Sequence, residues 1–493
     1  MNFASLTALP QFPCFVAARA ERPFHQKKAA LKFARISTHQ LCHRYCPWAI
    51  ASLILLVVLA PVPCRSQSAE HPPARVPQVS ILRPGSDHPT RRVNSQDAYT
   101  LPPALLQKAV ILSRIRNVLA FGGSLWEIAF LWLLLATRAA ARVDQWTQRI
   151  VSRRWLQGLI FFALFLIAVF LVGLPFDWFA QQTSRSYGIS VQSWPGWLQD
   201  EGISLAIALS VGVPLLLFFN WMVRRWPRRY WLVAWLITLP LMLIAVFAQP
   251  LLIDPLFNKF EPLQQSHPAL AQQLEKIAHR TGIEIPASRM YLMKASLKTN
   301  GLNAYVTGIG PTKRIVVWDT TAGRVPDDEI LFIFAHETGH YVLHHIAKGL
   351  AISAACLFFI FWICARVAAS LMRIRGSRWQ IESLHSRAGF IALLLVLAIA
   401  GFLIEPAANA ISRHFEHQAD VYGQEAIHGI VPSAGQTAVD AFNVLGRAWL
   451  ENPHPDAFPE FWLDSHPSIQ RRANFAAHYD PWKNGGHGRY FSF

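Results

Sequence analysis

The sequence predicts an all-α polytopic membrane protein that carries a small α/β insert, and three observations lead there. Of 493 residues, 53% are hydrophobic and 15% are charged, whereas about 25% of an ordinary soluble chain is charged. Six stretches reach or approach the roughly 20 apolar residues that a helix needs to cross the hydrocarbon core. They are 118–137, 155–175, 203–222, 230–252, 349–372 and 388–405. The net charge of +17 is confined to four segments, 1–46, 138–154, 222–230 and 373–387, and each abuts an apolar run. That is the pattern of basic cytoplasmic loops. A nucleic-acid binder would gather such charge on one folded face. Membrane lipid is therefore an expected partner, and nucleic acid is not.

Along the chain, residues 1–63 form a basic N-terminal extension ending in a short apolar segment, Trp48 to Ala60. Its length fits a signal peptide or a short first span. Residues 64–117 read as a polar linker region, and 118–252 as four transmembrane helices. A polar insert follows at 253–348, then two more transmembrane helices within 349–405, and a polar C-terminal region at 406–493. Strict alternation puts all four basic segments on one side of the membrane and both large polar segments on the other. If the basic side is cytoplasmic, the polar segments share the non-cytoplasmic side. In a bacterium that describes a multi-pass inner-membrane protein. Six cysteines do not make a disulfide framework: Cys14, Cys42, Cys46 and Cys64 lie upstream, Cys356 and Cys364 lie in a span, and the two large polar segments hold none.

The insert reads as α/β. Leu270, Leu274 and Ile277 share one helical face between His267 and His279, and Gly282 stops that helix. Met290 to Leu292, Asn303 to Thr307 and Arg314 to Trp318 read as strands, the last two joined across Gly308, Gly310 and Pro311 as a hairpin. Pro326-Asp327-Asp328-Glu329 opens another helix, with its acids against the positive end of the dipole.

That helix contains His336-Glu337-Thr338-Gly339-His340, an HExxH motif. Histidines at i and i+4 lie on one helical face, so both imidazoles reach one zinc ion, and Glu337 stands beside them as a general base for a water. A zinc hydrolase needs a third protein ligand and one open position. The metzincin pattern requires glycine at 343 and histidine at 346, where this chain has Leu343 and Ile346. The remaining common option is a glutamate on a later helix, the gluzincin arrangement. Ser412 to Asp420 offers Glu416, with Asp420 one turn on to hydrogen-bond a ligand histidine. Glu382 falls on the opposite side of the membrane, Glu405 sits immediately before Pro406, and Glu425 has no acid at i+4.

With these residues in hand, the chain resembles the integral-membrane zinc metalloproteases of the CAAX prenyl protease 1 family. The match runs from about Leu251 to Phe475. It includes Pro255 to Phe260, Asn303-Ala304-Tyr305, Lys313 to Thr320, the HExxH helix, Ser412-Arg413, Glu416 to Asp420, and Ser465-His466-Pro467-Ser468 with Arg472. The resemblance implies about seven transmembrane helices around a chamber, with the catalytic site at its mouth. It implies one zinc ion per chain, ligated by His336, His340 and Glu416, with Glu337 as base and Asp420 behind the ligands. It implies that His466 hydrogen-bonds the developing oxyanion and that Asn303, Ala304 and Tyr305 pair with substrate backbone.

The expected function is a membrane-embedded zinc metalloendopeptidase acting on peptide or protein substrates, membrane-associated or lipidated. The alternative is a CAAX-type protease that removes the C-terminal tripeptide of prenylated proteins. The non-enzyme alternative is an inactive membrane scaffold or carrier, against which intact ligands and base argue. His345 falls off the ligand face by helical spacing and reads as a polar helix end. Glu127 and Arg366, charged within spans, are candidates for lining the chamber.

Overall fold

A computed structural model describes residues 98–308, 312–483 and 485–492. The N-terminal extension, its short apolar segment and most of the expected linker lie outside the described residues, as do the four upstream cysteines and the turn residues Gly310 and Pro311.

The described chain begins with α1 (Pro103–Ala136), the short amphipathic α2 (Ala139–Ile150) and α3 (Arg154–Ser186). It continues as α4 (Trp194–Arg225) and α5 (Tyr230–Phe257). The insert then supplies β1 (Phe260–Pro262), α6 (Pro268–Arg280), β2 (Met290–Met293), β3 (Ala304–Thr307), β4 (Arg314–Trp318) and α7 (Asp327–Val342). Two long helices, α8 (His345–Trp379) and α9 (Arg387–Ala426), return the chain to the C-terminal region. There α10 (Ala434–Trp449), α11 (Ala457–Leu463) and α12 (Ile469–His478) complete the fold. Among the described residues, α1, α3, α4, α5, α8 and α9 are the six helices long and apolar enough to cross a membrane.

All six expected spans are present, and each helix outruns its apolar stretch. Proline suits the first turn of a helix, because the N–H it lacks would have no partner there; α1 accordingly starts at Pro103, inside the segment read as polar linker. Its first turns join the polar half of the molecule: Ala109 is buried with the insert, and Arg116 donates to the Trp449 carbonyl at 3.2 Å. Likewise α4 starts at Trp194, ahead of the apolar stretch, where Ser193 Oγ caps it by accepting the Gly196 N–H at 3.3 Å, and its Asp200 is buried among polar side chains. Gln181 donates to Gln192 at 3.0 Å, Gln192 donates to Asp200 at 3.4 Å, and Lys298 stands 3.8 Å from Asp200. A hydropathy window ends where such residues begin. The helix does not.

The four strands form one sheet in the order β1-β2-β4-β3. The expected β3–β4 hairpin is present, with Ala304 opposite Val317 and Tyr305 opposite Val316. The parallel pairing of β2 with β4 and the three-residue β1 have no local signature in the sequence. This order leaves β3 at an edge of the sheet.

Among the described residues two large buried clusters divide the molecule, and a third, small one of Met293, Ala295, Tyr305, Val316 and Trp318 covers the other face of the sheet. One lies within the helix bundle and contains every apolar residue of α9 from Phe390 to Leu397. The other joins the insert to the C-terminal region and holds Leu270, Leu274, Ile315, Val317, Phe332, Phe334 and Phe442. Helix α9 runs through both, and its C-terminal half packs along α7.

Candidate active site

The HExxH segment lies on α7, whose first turn is acidic and whose residues Ile330 to Ala335 are all buried. One turn apart, His336 and His340 aim their Nε2 atoms at each other across 3.2 Å. Helix α9 brings Glu416 to the same point, 3.3 Å from His336 Nε2 and 3.5 Å from His340 Nε2. One ligand atom from each of the three residues lies within 4.8 Å of the other two. The two helices approach this closely because each has a glycine at the contact. A Cβ on Gly423 would stand 2.8 Å from the His336 backbone nitrogen, and one on Gly339 would stand 3.0 Å from the Tyr422 ring.

Behind the pair, Asp420 Oδ1 lies 2.9 Å from His336 Nδ1. Arg472 of α12 grips the same carboxylate at 2.6 and 3.0 Å, with its guanidinium 4.7 Å above the Phe442 ring. The sequence match contained Arg472 without giving it a role; its place is fixed by Asp420. Burial alone would lower the His336 pKa, but the Asp420 and Glu416 carboxylates outweigh it and raise it to about 9. Burial instead pushes His340 down to about 3, overcoming the attraction of Glu416.

Two bare imidazole nitrogens 3.2 Å apart repel unless a proton or a metal lies between them, and a buried carboxylate faces both. The residues present therefore fit a divalent metal. Glu337 lines the same cleft, and its pKa is pushed up to about 7, first by burial and then by Glu416, against the pull of His336 and Arg472. Its carboxylate accepts the backbone N–H of Val306 on β3. His466 completes the group, with Nε2 3.3 Å from Glu416 Oε1 and Nδ1 2.9 Å from Ser465 Oγ. Its side chain is 27% exposed, more open than those of His336, His340 and Glu416.

The cleft has a volume of about 220 Å³ and is lined by Asn303, Tyr305, Val306 and Thr307 on one side and by Ile333, Phe442 and Leu445 among others. The expected substrate-pairing segment thus borders it, except that Ala304 turns into the core. Glu425, weighed above as a third ligand, is buried elsewhere. It accepts the backbone N–H groups of Arg489, Tyr490 and Phe491 at 2.6, 2.7 and 3.1 Å.

The reading of His345 as a polar helix end is corrected. Its side chain is fully buried, and its Nδ1 lies 3.1 Å from His340 Nδ1. The physical reason is a break between α7 and α8: His344 adopts φ +57°, so helical spacing no longer predicts where the next side chain falls. No periodicity in the sequence could have reported this contact.

Comparison with known proteins places these observations in a family. Residues 264–480 match the model of peptidase family M48, and residues 90–259 match that of the CAAX prenyl protease N-terminal domain, described as five membrane helices. A protein of Bacillus subtilis named as the uncharacterized metalloprotease YhfN is 35% identical over 379 residues, covering 77% of this chain and 87% of that protein. CAAX prenyl protease 1 of Saccharomyces cerevisiae is 27% identical over 289 residues, covering 55% of this chain and 62% of that protein. The crystal structure of Ste24p from S. mikatae superposes with a TM-score of 0.66, covering 88% of this chain and 96% of that one. At 20% identity, that likeness is one of fold. The chain belongs to peptidase family M48, as a multi-pass membrane metalloprotease that hydrolyses peptide bonds.

Proposed function

We propose that the chain is a zinc metalloendopeptidase with one zinc ion per chain, held by His336, His340 and Glu416. The observation that carries this is the convergence of those three ligand atoms within 4.8 Å, beside the Glu337 carboxylate, at the wall of a cleft. Two histidines and a glutamate are a donor set of catalytic zinc that leaves a fourth position open. When bound, zinc supplies a Lewis acid and brings the pKa of a water toward neutrality. Glu337 is the base that receives the proton, its carboxylate held by the Val306 N–H. His466 offers an N–H to the oxygen that becomes negative as the peptide carbonyl is attacked. Asp420 accepts from His336 Nδ1 and so fixes which nitrogen of that ring stays bare.

The substrate is a peptide or protein, membrane-associated or lipidated, whose extended backbone adds to the β3 edge along Asn303, Ala304 and Tyr305. Apolar side chains of the substrate suit the wall made by Ile333, Phe442 and Leu445. In this reading 118–252 and 349–405 are membrane units, and 253–348 and 406–493 are two parts of one catalytic region. That region faces the non-cytoplasmic side. The supporting observation is charge: three short basic loops alternate with the acidic connection 176–202, which has net −2. A second reading, removal of the C-terminal tripeptide from prenylated proteins, is favoured by the relatives named as CAAX prenyl protease 1. Purified enzyme that cleaves only a prenylated peptide, and not its unmodified counterpart, selects that second reading.

The deciding experiment is Glu337→Gln in purified, zinc-loaded protein. Zinc content should stay at one per chain while turnover falls by roughly three to four orders of magnitude. Near-wild-type turnover would remove Glu337 from the base role. Sidedness is tested by labelling single cysteines with an impermeant reagent, in a chain cleared of its own cysteines. Glu284→Cys should react in intact cells and Arg375→Cys should not; the reverse would invert the topology.

A further inference from the structure

His345 and Gln418 carry no role in the scheme above, yet they form an unbroken line to a metal-site histidine. His345 Nδ1 lies 3.1 Å from His340 Nδ1, and His345 Nε2 lies 2.9 Å from Gln418 Oε1. The His345 ring is stacked on Phe415, with centroids 4.4 Å apart and planes 7° from parallel, which fixes its plane. Helix α9 supplies both Phe415 and Gln418, on either side of Glu416.

A neutral imidazole has one N–H and one lone pair, so the nitrogens facing each other determine a direction. If His340 ligates through Nε2, its proton must sit on Nδ1. That proton can only be donated to His345 Nδ1, which must then be bare. His345 then carries its own proton on Nε2, and the partner there must be an acceptor. Gln418 presents its carbonyl oxygen at that position. Turning the amide over would reverse every donor in the line and leave a hydrogen on the nitrogen of His340 that faces the site.

We propose that His345 and Gln418 are positioning residues that hold His340 in the tautomer whose Nε2 is free for the metal. The proposal rests on reading His340 as a metal ligand. His336 is set differently, by the Asp420 carboxylate, which is itself neutralised by Arg472. The line through His345 does the same for the second ligand without adding another carboxylate beside Glu416 and Glu337.

The test measures the zinc dissociation constant of the full chain in detergent by chelator competition, with the melting temperature of each metal-free form as a control. His345→Phe keeps a ring to stack on Phe415 and removes the acceptor; it should weaken zinc binding roughly 10- to 100-fold. His345→Asn puts a carbonyl oxygen where Nδ1 stood and should recover affinity to within about threefold of wild type. Wild-type affinity in His345→Phe, or equal loss in the Phe and Asn variants, would reduce His345 to packing and overturn the proposal. If both unfold, the pair Gln418→Glu and Gln418→Met decides. The carboxylate preserves the acceptor and should bind zinc about tenfold or more tightly than the thioether variant, and equal affinities would overturn the proposal. His340→Ala separates the two levels of the argument. If it retains wild-type zinc affinity, the ligand assignment itself fails, whatever His345 does.

Discussion

The two halves of α9 bury opposite kinds of residue. From Arg387 to Leu397 every residue is buried, and after the first turn all are apolar. From Ser412 to Ala426 the buried set includes Glu416, Asp420, Gln424 and Glu425. Burial in the first half asks only for volume and an apolar surface, and neighbouring spans supply it. Burial in the second half asks for a named partner at each turn. Glu416 meets two histidines, Asp420 meets His336 and Arg472, Gln424 donates to the Ala476 and Tyr479 carbonyls, and Glu425 takes the backbone of residues 489–491. One helix therefore follows two sets of rules. Exchange of one apolar side chain for another is expected to cost less in the membrane half than loss of a polar partner in the other.

The comparison breaks most visibly if a catalytic-half acid proves dispensable. Glu416→Ala should abolish zinc retention and turnover together, read by elemental analysis and a peptide assay. Glu405→Ala, on the same helix between the two halves, should retain its zinc; equal loss there would move the ligand by three turns. His466→Phe comes next, lowering kcat roughly 10²- to 10³-fold with zinc content unchanged. A rise in KM alone would make His466 a binding residue.

The membrane half has one exception to its own rule, the buried pair in which Arg387 donates to Asp144 at 2.6 Å. Removing one partner of such a pair leaves a buried charge and costs about 3–5 kcal/mol. Asp144→Ala should lower the unfolding midpoint accordingly while kcat per folded, zinc-loaded molecule stays unchanged. A selective loss of kcat would mean that the two halves are not independent.

The smallest effect is expected at Glu329, in the first turn of α7, where burial, with Asp440 and Asp328 adding to it, raises the pKa to about 7. The folded state there holds a proton that the unfolded state releases near its ordinary value of 4.5. Stability from this group is present below that value and is lost as pH rises toward about 7. Glu329→Gln should flatten that part of the melting-temperature profile, and an unchanged slope would remove Glu329 as its source.

The same contrast explains what was legible beforehand. Composition located all six spans, because lipid accepts any apolar side chain: Trp132, Leu171, Leu236 and Leu252 are each more than half exposed on the protein alone. The motif His336-Glu337-x-x-His340 already implied that its two histidines meet, since i and i+4 share a face on any helix. Glu416 and Asp420, singled out by the same spacing, stand beside them. The contacts of Arg472, His345 and Gln418 were not legible, because each depends on how separate elements meet. In the case of His345 the outcome turned on one residue, His344, whose left-handed backbone ends the helical count. Similarly, the parallel pairing of β2 with β4 joins strands separated by the whole β3 segment.

The length of α9 has a mechanical consequence. From Arg387 to Glu416 the helix rises about 44 Å at 1.5 Å per residue, so one degree of tilt about Arg387 would sweep Glu416 through roughly 0.8 Å. Metal ligands hold their distances to about 0.2 Å, and bilayers of different thickness change span tilt by far more than a degree. A rigid rod anchored only at its Arg387 end would therefore mistune with every change of lipid. Two features relieve this. Pro406 interrupts the hydrogen-bond ladder ten residues before Glu416, giving the rod a place to bend. Beyond it, Gly423 seats α9 directly on the backbone of α7 at His336, and the Tyr422 ring of α9 lies directly on Gly339 of α7. A bend at the proline would let the membrane part of α9 tilt while Glu416 keeps its place beside α7.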